Sequence, residues 1–318
     1  DTFAMASDNT SVLIVGAGAV GALFGSALAR HGVRVGVVCR SDYDIVSREG
    51  YAIRSFSFGE YRFRPDRVFR NVADCDETPD YVLLTTKVVP SVDRVALLRP
   101  VARPGVTIVL IQNGVDIEQE IADAFPENEL LSALAFVGVG RSAPGEIVHQ
   151  SHGSLVLGVY PKGISTSAEK LAAAFNASGV PCKLTDNVIG ARWQKAVWNA
   201  PLNPLSILGG VLDTAAMLRT EKDRAFVAKA MQEVCDIAAA AGYPQSPKLV
   251  NAMIESTLAM PAYKTSMALD YEQRRPMEIE AILGNVVRSA RRVGVAAPTL
   301  ETLYSIAKMV EAARLGSA

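Results

Sequence analysis

The chain has 318 residues, of which 49% are hydrophobic and 20% are charged. This length exceeds what one ordinary core requires, so we expect two domains of globular composition. Lysine plus arginine total 32 and aspartate plus glutamate total 33, which gives a formal net charge of -1. Such a balance does not favour nucleic acid or an anionic membrane as a partner.

The four cysteines lie far apart and form no C-x-x-C pair. We interpret them as reduced thiols of a cytoplasmic protein, because neither a disulfide framework nor a metal site is indicated. No apolar run approaches the ~18 residues of a membrane helix. Residues 1–10 are polar and lack the basic-then-apolar order of a signal peptide, and Met5 is a candidate for the native first residue.

Residues 12–25 run Val-Leu-Ile-Val-Gly-Ala-Gly-Ala-Val-Gly-Ala-Leu-Phe-Gly, and a second apolar strand follows at Val33–Cys39. The G-x-G-x-x-G spacing between a strand and an alanine-rich helix predicts a dinucleotide-binding loop. Gly16 allows the tight turn, Gly18 lets a pyrophosphate approach the backbone, and Gly21 lets helix and strand pack closely. The helix N-terminus offers free N–H groups to that pyrophosphate. The predicted loop residues are Gly16, Ala17, Gly18, Ala19, Val20 and Gly21.

The loop after the second strand predicts which dinucleotide binds. Enzymes that use NAD usually place Asp or Glu here to bind the ribose 2′-hydroxyl, whereas a basic residue accommodates a 2′-phosphate. Arg40 stands where this strand should end, so we expect NADP(H) as the cofactor. Asp42 favours NAD, but it falls two positions later, and we interpret its side chain as turned away.

Tyr81–Lys87 and Val106–Gly114 are further predicted strands that end in polar residues. In an open parallel sheet, ligands bind outside the carboxyl ends of the strands, so we expect Lys87, Gln112 and Asn113 at the cofactor edge. Lys87 and Asn113 also have ordinary explanations. Lys87 could be a solvated lysine that starts a helix, and Asn113 with Gly114 could be a bare turn.

The pattern of Tyr51–Phe63 alternates around Gly59-Glu60 and predicts short strands or a hairpin. Leu131–Val139 and Ser154–Val159 predict two more strands, with a turn at residues 142–145 between them. His149 and His152 are not expected to bind a metal, because a spacing of three places them on opposite faces of a strand and no third ligand is near.

From about Asp186 the sequence changes to long, alanine-rich helical segments with few β-branched runs. We therefore predict an α/β fold with two domains. An NADP-binding Rossmann-type domain with a mostly parallel sheet covers residues 11–185, and an all-α substrate and catalytic domain covers residues 186–318. The predicted helices include Arg219–Ala241, Lys248–Leu258, Glu278–Val293 and Thr299–Ala313.

Lys195, Asn199 and Asn203 stand at i, i+4 and i+8, which on a continuous helix aligns them on one face. However, Pro201 would kink an α-helix, and Pro204 disfavours helical geometry at the residue before it. Lys195 and Asn199 are therefore expected to share a face, whereas Asn203 shares it only if the chain bends suitably. An amphipathic helix with a solvated lysine and two capping asparagines would give the same pattern.

Together these stretches resemble the 2-dehydropantoate 2-reductase (ketopantoate reductase) family. They follow one another in the same order as in that family and span the chain from about residue 11 to residue 310. Met277 and Pro201 differ from what the resemblance leads us to expect, which bears on substrate detail more than on reaction type. The matching pieces are Gly16–Gly21, Lys87, Gln112-Asn-Gly114, Pro144–His149, Arg192–Lys195, Asn199, Asn203-Pro-Leu, Ser266-Met and Glu278-Ile-Glu.

The resemblance implies an NADPH-dependent oxidoreductase that reduces ketopantoate to pantoate by hydride transfer, a step in pantothenate (vitamin B5) biosynthesis. It implies that Lys195 is the general acid, with Glu278 supporting the lysine and Glu280 as the alternative carboxylate. It implies that Asn113 and Glu278 also lie at the cofactor, and that Arg40 and Lys87 recognise the NADP phosphates. The implied substrate-binding residues are Asn113, Asn199, Asn203 and Ser266.

The chemistry of a ketone reduction suits these residue types. Hydride delivery develops negative charge on the keto oxygen, which a lysine ammonium can stabilise and protonate. Burial would lower the pKa of Lys195, and a neighbouring carboxylate would raise it. Two alternatives stay open, namely a reductase of another short 2-oxo or 3-oxo acid and a non-catalytic NADP(H)-binding sensor. The apolar helices are compatible with a homodimer.

Overall fold

The computed structural model describes residues 10–315, so the interpretation of Met5 lies outside the described part of the chain. The described residues divide into two units. Unit 1 comprises residues 10–87, 92–112 and 118–188, and unit 2 comprises residues 88–91, 113–117 and 189–315. The domain boundary between residues 185 and 186 stays a prediction.

Unit 1 is built on one ten-stranded sheet in the order β4-β3-β9-β8-β7-β6-β1-β2-β5, with β10 beside β9. The β3–β4 and β8–β9 pairs are antiparallel, and the other pairs of named strands are parallel. The predicted mostly parallel, Rossmann-type sheet is thus confirmed. The strands are β1 (Ser11–Val15), β2 (Arg34–Val38), β3 (Tyr51–Ser55), β4 (Gly59–Phe63), β5 (Arg67–Phe69), β6 (Tyr81–Leu84), β7 (Thr107–Ile111), β8 (Leu130–Ala143), β9 (Glu146–Val159) and β10 (Cys182–Leu184).

The central strands β1, β6 and β7 are apolar after the first residue, as expected where both faces of a sheet are covered. In β1, Val12 and Ile14 pack into one core, whereas Leu13 and Val15 pack into the other. This is the period of two that a strand buried on both faces requires. The helices of unit 1 are α1 (Ala19–Ala29), α2 (Tyr43–Glu49), α3 (Arg94–Leu98), α4 (Gln119–Ala124) and α5 (Thr166–Ala177).

Several predicted strand boundaries in unit 1 are wrong. The strands β8 and β9 extend towards each other well beyond the apolar runs that predicted them. The apolar pattern did not include their outer halves because these are partly exposed and carry polar residues. In the β3–β4 hairpin the turn lies at residues 56–58, and Gly59 begins β4 instead of standing at the centre of the turn. The strand predicted to reach Lys87 ends at Leu84.

Unit 2 is helical, as predicted, apart from an isolated β-bridge between Asp213 and Lys264. A buried stripe along α8, at residues 227, 231, 234 and 238, shows the helical spacing that packs it into the core. No helix among residues 10–315 is long and apolar enough to cross a membrane. The helices are α6 (Val188–Leu208), α7 (Thr214–Met217), α8 (Glu221–Ala240), α9 (Leu249–Ala259), α10 (Ser266–Glu272), α11 (Asn285–Val293) and α12 (Pro298–Leu315), with a π-helical turn at Glu280–Gly284.

Helix α6 continues through Pro201 and Pro204, although each proline removes one backbone donor. Residues on both sides of the prolines, including Ala200, Leu202 and Ile207, are buried, so tertiary packing holds the segment helical against its local preference. The helical geometry that Pro204 disfavours at Asn203 is therefore present, and Lys195, Asn199 and Asn203 lie on one continuous helix.

Candidate active site

The glycine loop of unit 1 has the geometry of a phosphate-binding turn. Gly16 has a φ of +84°, and a Cβ there would lie 2.3 Å from Cγ2 of Thr86. A Cβ at Gly21 would lie 2.5 Å from Oγ1 of Thr85, so helix α1 can approach the sheet only because this residue is glycine. At Gly18 the nearest atom that a Cβ would meet among residues 10–315, its chain neighbours aside, is the Gly16 oxygen at 3.9 Å. The space beside Gly18 is therefore open to a ligand.

The N-terminus of helix α1 is suited to an anion. Gly18 is the N-cap and supplies no side-chain hydrogen bond, and the first turn contains no acidic residue. Its backbone N–H groups and the helix dipole can therefore act on a phosphate. The buried hydroxyl of Tyr51 donates to the carbonyl oxygen of Ala17 at 2.7 Å and holds the loop in place. These residues fit a dinucleotide.

The loop after β2 carries charges of both signs, and the two are placed differently. Arg40 is exposed, whereas Asp42 is only 3% exposed. The Asp42 carboxylate accepts hydrogen bonds from Arg141 at 2.6 Å and from the backbone N–H of Gly145 at 3.0 Å. The carboxylate of Asp42, which would favour NAD, thus faces the β8–β9 hairpin.

Lys87 lies in the loop after β6 and is partly exposed. Its loop is braced by Gln112, whose Nε2 donates to the carbonyl oxygen of Thr86 at 2.6 Å and to Oγ1 of the same residue at 3.1 Å. Oε1 of Gln112 in turn accepts from Arg94 at 3.1 Å. The roles of Arg40 and Lys87 in phosphate recognition stay predictions.

Gly18→Val is expected to weaken NADPH binding more than tenfold, because the new side chain fills the space into which a pyrophosphate must fit. The fold should be retained, since a Cβ at this position is in no close contact within the described part of the chain. Calorimetric titration with NADPH measures the affinity, and thermal melting measures the fold. Gly21→Val is the matched comparison, because its clash with Thr85 should lower the melting temperature. Unchanged affinity in Gly18→Val would contradict the assignment of the loop.

Within unit 2, Lys195, Asn113 and Glu278 form a hydrogen-bonded chain. Nζ of Lys195 donates to Oδ1 of Asn113 at 2.9 Å. Nδ2 of Asn113 donates to Oε2 of Glu278 at 3.3 Å, and the other carboxylate oxygen accepts the N–H of Val88 at 3.0 Å. A carboxylate can only accept, so it fixes the amide of Asn113 with its oxygen towards the lysine.

The surroundings of Lys195 bring its pKa towards neutral pH. Burial is the largest cause that lowers the pKa of Lys195, to about 8, and the charge of Arg192 lowers this pKa further. Glu278 acts in the opposite sense and raises this pKa, so the lysine keeps its proton at neutral pH. Arg192 is itself buried, and its Nη1 donates to the carbonyl oxygen of Gly114 at 3.0 Å. Lys195 can therefore both carry charge and release a proton.

Glu280 has a different environment from Glu278. Its carboxylate accepts hydrogen bonds from Arg288 at 2.8 Å and from the hydroxyl of Tyr304 at 2.9 Å, and it pairs with Lys308 at 3.1 Å. Burial alone would raise the pKa of Glu280, but these three partners lower it overall. Glu280 thus joins helices α11 and α12, and the structure brings Glu278 to the Asn113–Lys195 pair.

The π-helical turn that follows Glu278 holds Asn113 in place. The carbonyl oxygen of Ala281, in this turn, accepts the N–H of Val115 at 3.2 Å. Nδ2 of Asn285 donates to the carbonyl oxygen of Val115 at 2.7 Å. Gly114 has a φ of +110°, and a Cβ there would lie 2.7 Å from the Ala281 oxygen, so only glycine fits. The segment that carries Asn113 is therefore fixed against the π-helical turn that follows Glu278.

The remaining predicted substrate residues lie along α6 and α10. Asn203 is buried, and its Nδ2 donates to the backbone oxygen of Asn199 at 3.2 Å. Its Oδ1 accepts from the N–H of Met267 at 3.3 Å and from Oγ of Ser266 at 3.4 Å. The oxygen of this amide thus holds α10 against α6, while its nitrogen is bonded within α6. Ser266 is exposed and Asn199 is partly exposed, so these two side chains are the more accessible of the set.

Comparison with known proteins identifies the family. The family description "Ketopantoate reductase PanE/ApbA" matches residues 12–162, and "Ketopantoate reductase PanE/ApbA C terminal" matches residues 187–311. The chain belongs to the ketopantoate reductase family. As a member of this family it is an oxidoreductase, and the predicted enzyme class and family resemblance are confirmed.

Individual relatives cover almost the whole chain. A 2-dehydropantoate 2-reductase of Nostoc sp. is 30% identical over 303 residues, covering 94% of each chain. The crystal structure of 2-dehydropantoate 2-reductase from Methylococcus capsulatus is similar with a TM-score of 0.91 at 50% identity, covering 96% of this chain and 97% of that one. A D-mandelate dehydrogenase solved with NADH and anilino(oxo)acetate has a TM-score of 0.86 at 22% identity, covering 96% of this chain and 99% of that one, and shares the fold.

Proposed function

We propose that this protein reduces 2-dehydropantoate to pantoate with NADPH, in the cytoplasm and on the route to pantothenate. The observation that carries the proposal is the chain from Lys195 through Asn113 to Glu278, which supplies a fixed proton donor within a ketopantoate reductase family member. The nearly full-length similarity to proteins named 2-dehydropantoate 2-reductase supports the choice of substrate.

Residues of the proposed domain 11–185 bind the cofactor. The backbone of Gly16–Gly21 and the N-terminus of α1 bind the pyrophosphate, and Gly18 provides the open approach. Arg40 binds the 2′-phosphate and Lys87 a further phosphate oxygen. When bound, the reduced nicotinamide supplies the hydride that converts the ketone carbon to an alcohol carbon.

Residues of the proposed domain 186–318, together with Asn113, act on the substrate. The ammonium of Lys195 donates a hydrogen bond to the keto oxygen, stabilises the negative charge that develops there, and transfers its proton to that oxygen. Asn113 and Glu278 keep the lysine oriented and protonated until the substrate arrives. Asn199 and Ser266 bind the substrate hydroxyl and carboxylate with fixed neutral groups, and Asn203 supports Ser266.

A panel of keto acids tests the substrate. Initial rates are measured with NADPH and with NADH for 2-dehydropantoate, for other short 2-oxo and 3-oxo acids, and for an aromatic 2-oxo acid. The proposal expects the highest kcat/KM for 2-dehydropantoate with NADPH. Turnover of another acid but not of 2-dehydropantoate would overturn the proposed substrate assignment. Tight NADPH binding without reduction of any acid would indicate the non-catalytic sensor.

The rate of reduction should fall as pH rises through about 8. Only the protonated lysine can donate, and the pKa of Lys195 is lowered to about 8, so the active form is complete below this pH and is lost above it. We expect kcat/KM for reduction to decrease about tenfold per pH unit on the alkaline side. Lys195→Arg is the matched control, because arginine stays protonated and its weak residual activity should lack this decrease. A wild-type profile flat to pH 10 would contradict the lysine as the acid.

A further inference from the structure

We propose that Arg141 determines the selectivity for NADP(H) over NAD(H) by neutralising Asp42 and holding its carboxylate away from the ribose. The inference rests on the proposed use of NADPH and deepens it. An acidic residue at the end of the second strand is the group that binds a ribose 2′-hydroxyl, and Asp42 is an acidic residue in that loop. Selectivity for a 2′-phosphate therefore requires that this carboxylate be made ineffective.

The contacts of Asp42 show how this is done. Its Oδ1 accepts from Nη1 of Arg141 at 2.6 Å and from Oγ of Ser41 at 3.0 Å. Its Oδ2 accepts the backbone N–H of Gly145 at 3.0 Å. Nη1 of Arg141 also donates to Oγ of Ser41 at 3.0 Å. Both carboxylate oxygens are thus engaged, and the Asp42 side chain is only 4% exposed.

The β8–β9 hairpin, which supplies Arg141 and Gly145, is itself anchored. The carbonyl oxygen of Gly145 accepts the N–H of Ala52, at the start of β3, at 2.8 Å. A Cβ at Gly145 would lie 3.1 Å from Cγ2 of Ile45, so the turn also packs against α2. Arg141 pairs with Ile147 across the hairpin. The guanidinium therefore projects from a fixed strand, and Arg141 is a positioning residue for the loop that contains Arg40.

The electrostatic consequence follows from the sign of the charges. Paired with Arg141, Asp42 contributes no net charge to the loop, so the charge of the exposed Arg40 dominates. Without Arg141, a negative charge would stand two residues from Arg40. It would repel a 2′-phosphate, and the freed carboxylate would be able to accept a hydrogen bond from a 2′-hydroxyl. Loss of Arg141 should therefore weaken NADP(H) binding and leave NAD(H) binding unchanged or stronger.

The test uses fragments that carry no nicotinamide, so that binding is read independently of catalysis. Calorimetry measures the Kd of adenosine 2′,5′-bisphosphate and of 5′-AMP for the full chain, and the ratio of the two reports recognition of the 2′-phosphate. We expect wild type to prefer the bisphosphate and Arg141→Met to reduce that preference about tenfold. In the double variant Asp42→Asn with Arg141→Met the preference should return, because the unpaired charge is absent.

Arg40→Met is the matched comparison, because it removes the proposed phosphate contact and should lose the preference whether residue 42 is Asp or Asn. If Arg141→Met does not fold because the buried carboxylate of Asp42 is left unpaired, the double variant and Asp42→Asn alone still test the inference. Both should keep at least the wild-type preference. An unchanged ratio of the two Kd values in Arg141→Met would overturn the inference. A double variant that keeps the reduced preference would also overturn it, because this result would indicate that Arg141 contacts the phosphate directly. A wild type without preference would instead overturn the proposed NADPH dependence.

Discussion

Replacing Lys195 with alanine is expected to lower kcat for ketopantoate reduction about a thousandfold. Loss of a positioned general acid costs between about a hundredfold and ten-thousandfold, and in the proposed mechanism this lysine also stabilises charge on the keto oxygen. The affinity for NADPH should change little, because the proposed phosphate contacts are made by Gly16–Gly21, Arg40 and Lys87 and not by Lys195. Steady-state rates with NADPH and 2-dehydropantoate, together with calorimetric NADPH binding, measure both effects.

Two further variants separate catalysis from folding. Lys229 is an exposed lysine of helix α8, and Lys229→Ala should retain wild-type rates. Burial lowers the pKa of Lys195, which means that the charged lysine is less favourable in the folded protein than in the unfolded chain. Lys195→Met should therefore melt at the same temperature as wild type or higher while losing activity. If Lys195→Ala kept full NADPH turnover, the lysine would have no place in the mechanism.

Glu278→Gln is expected to lower kcat about a hundredfold. A carboxylate accepts both from Val88 and from Asn113, whereas the glutamine amide must present an N–H group to one of these donors. The amide of Asn113 then loses the orientation that directs its oxygen to Lys195. The charge that raises the pKa of Lys195 is also removed, so the alkaline limb of the pH–rate profile should move to lower pH.

Glu280→Gln is the matched control for Glu278→Gln. Glu280 accepts from Arg288 and Tyr304 and pairs with Lys308, so the substitution should lower the melting temperature. Its kcat should stay within about twofold of wild type and its pH–rate profile should not move, because the Glu280 carboxylate binds side chains of α11 and α12 whereas the Asn113 amide is held by Glu278. The reverse result, with Glu280→Gln inactive and Glu278→Gln active, would assign the supporting role to Glu280.

The sequence was most informative where chemistry depends on residues close together in the chain. The glycine loop with its flanking strand and helix predicted both the Rossmann-type sheet and the turn at Gly16. Lys195 and Asn199 could be placed on one helix face from their spacing alone. The resemblance then supplied Glu278, which spacing could not have linked to Lys195.

What the sequence could not predict depends on contacts between distant segments. The π-helical turn at Glu280–Gly284 has no local residue signature, yet it places Ala281 and Asn285 against Val115. Arg141 and Asp42 stand far apart in the chain, and no spacing rule connects them. Arg192 is the exception, because it precedes Lys195 by three residues on one helix, and this spacing could have marked it as a neighbouring charge.

A crystal structure of the protein with NADP⁺ and 2-dehydropantoate tests the central claim most directly, because the oxidised cofactor cannot reduce the bound ketone. The proposed mechanism predicts Nζ of Lys195 at about 2.7–3.2 Å from the keto oxygen, with Asn113 still accepting from the lysine. A keto oxygen bound by another donor, with Lys195 remote from it, would contradict the assignment of this lysine as the proton donor.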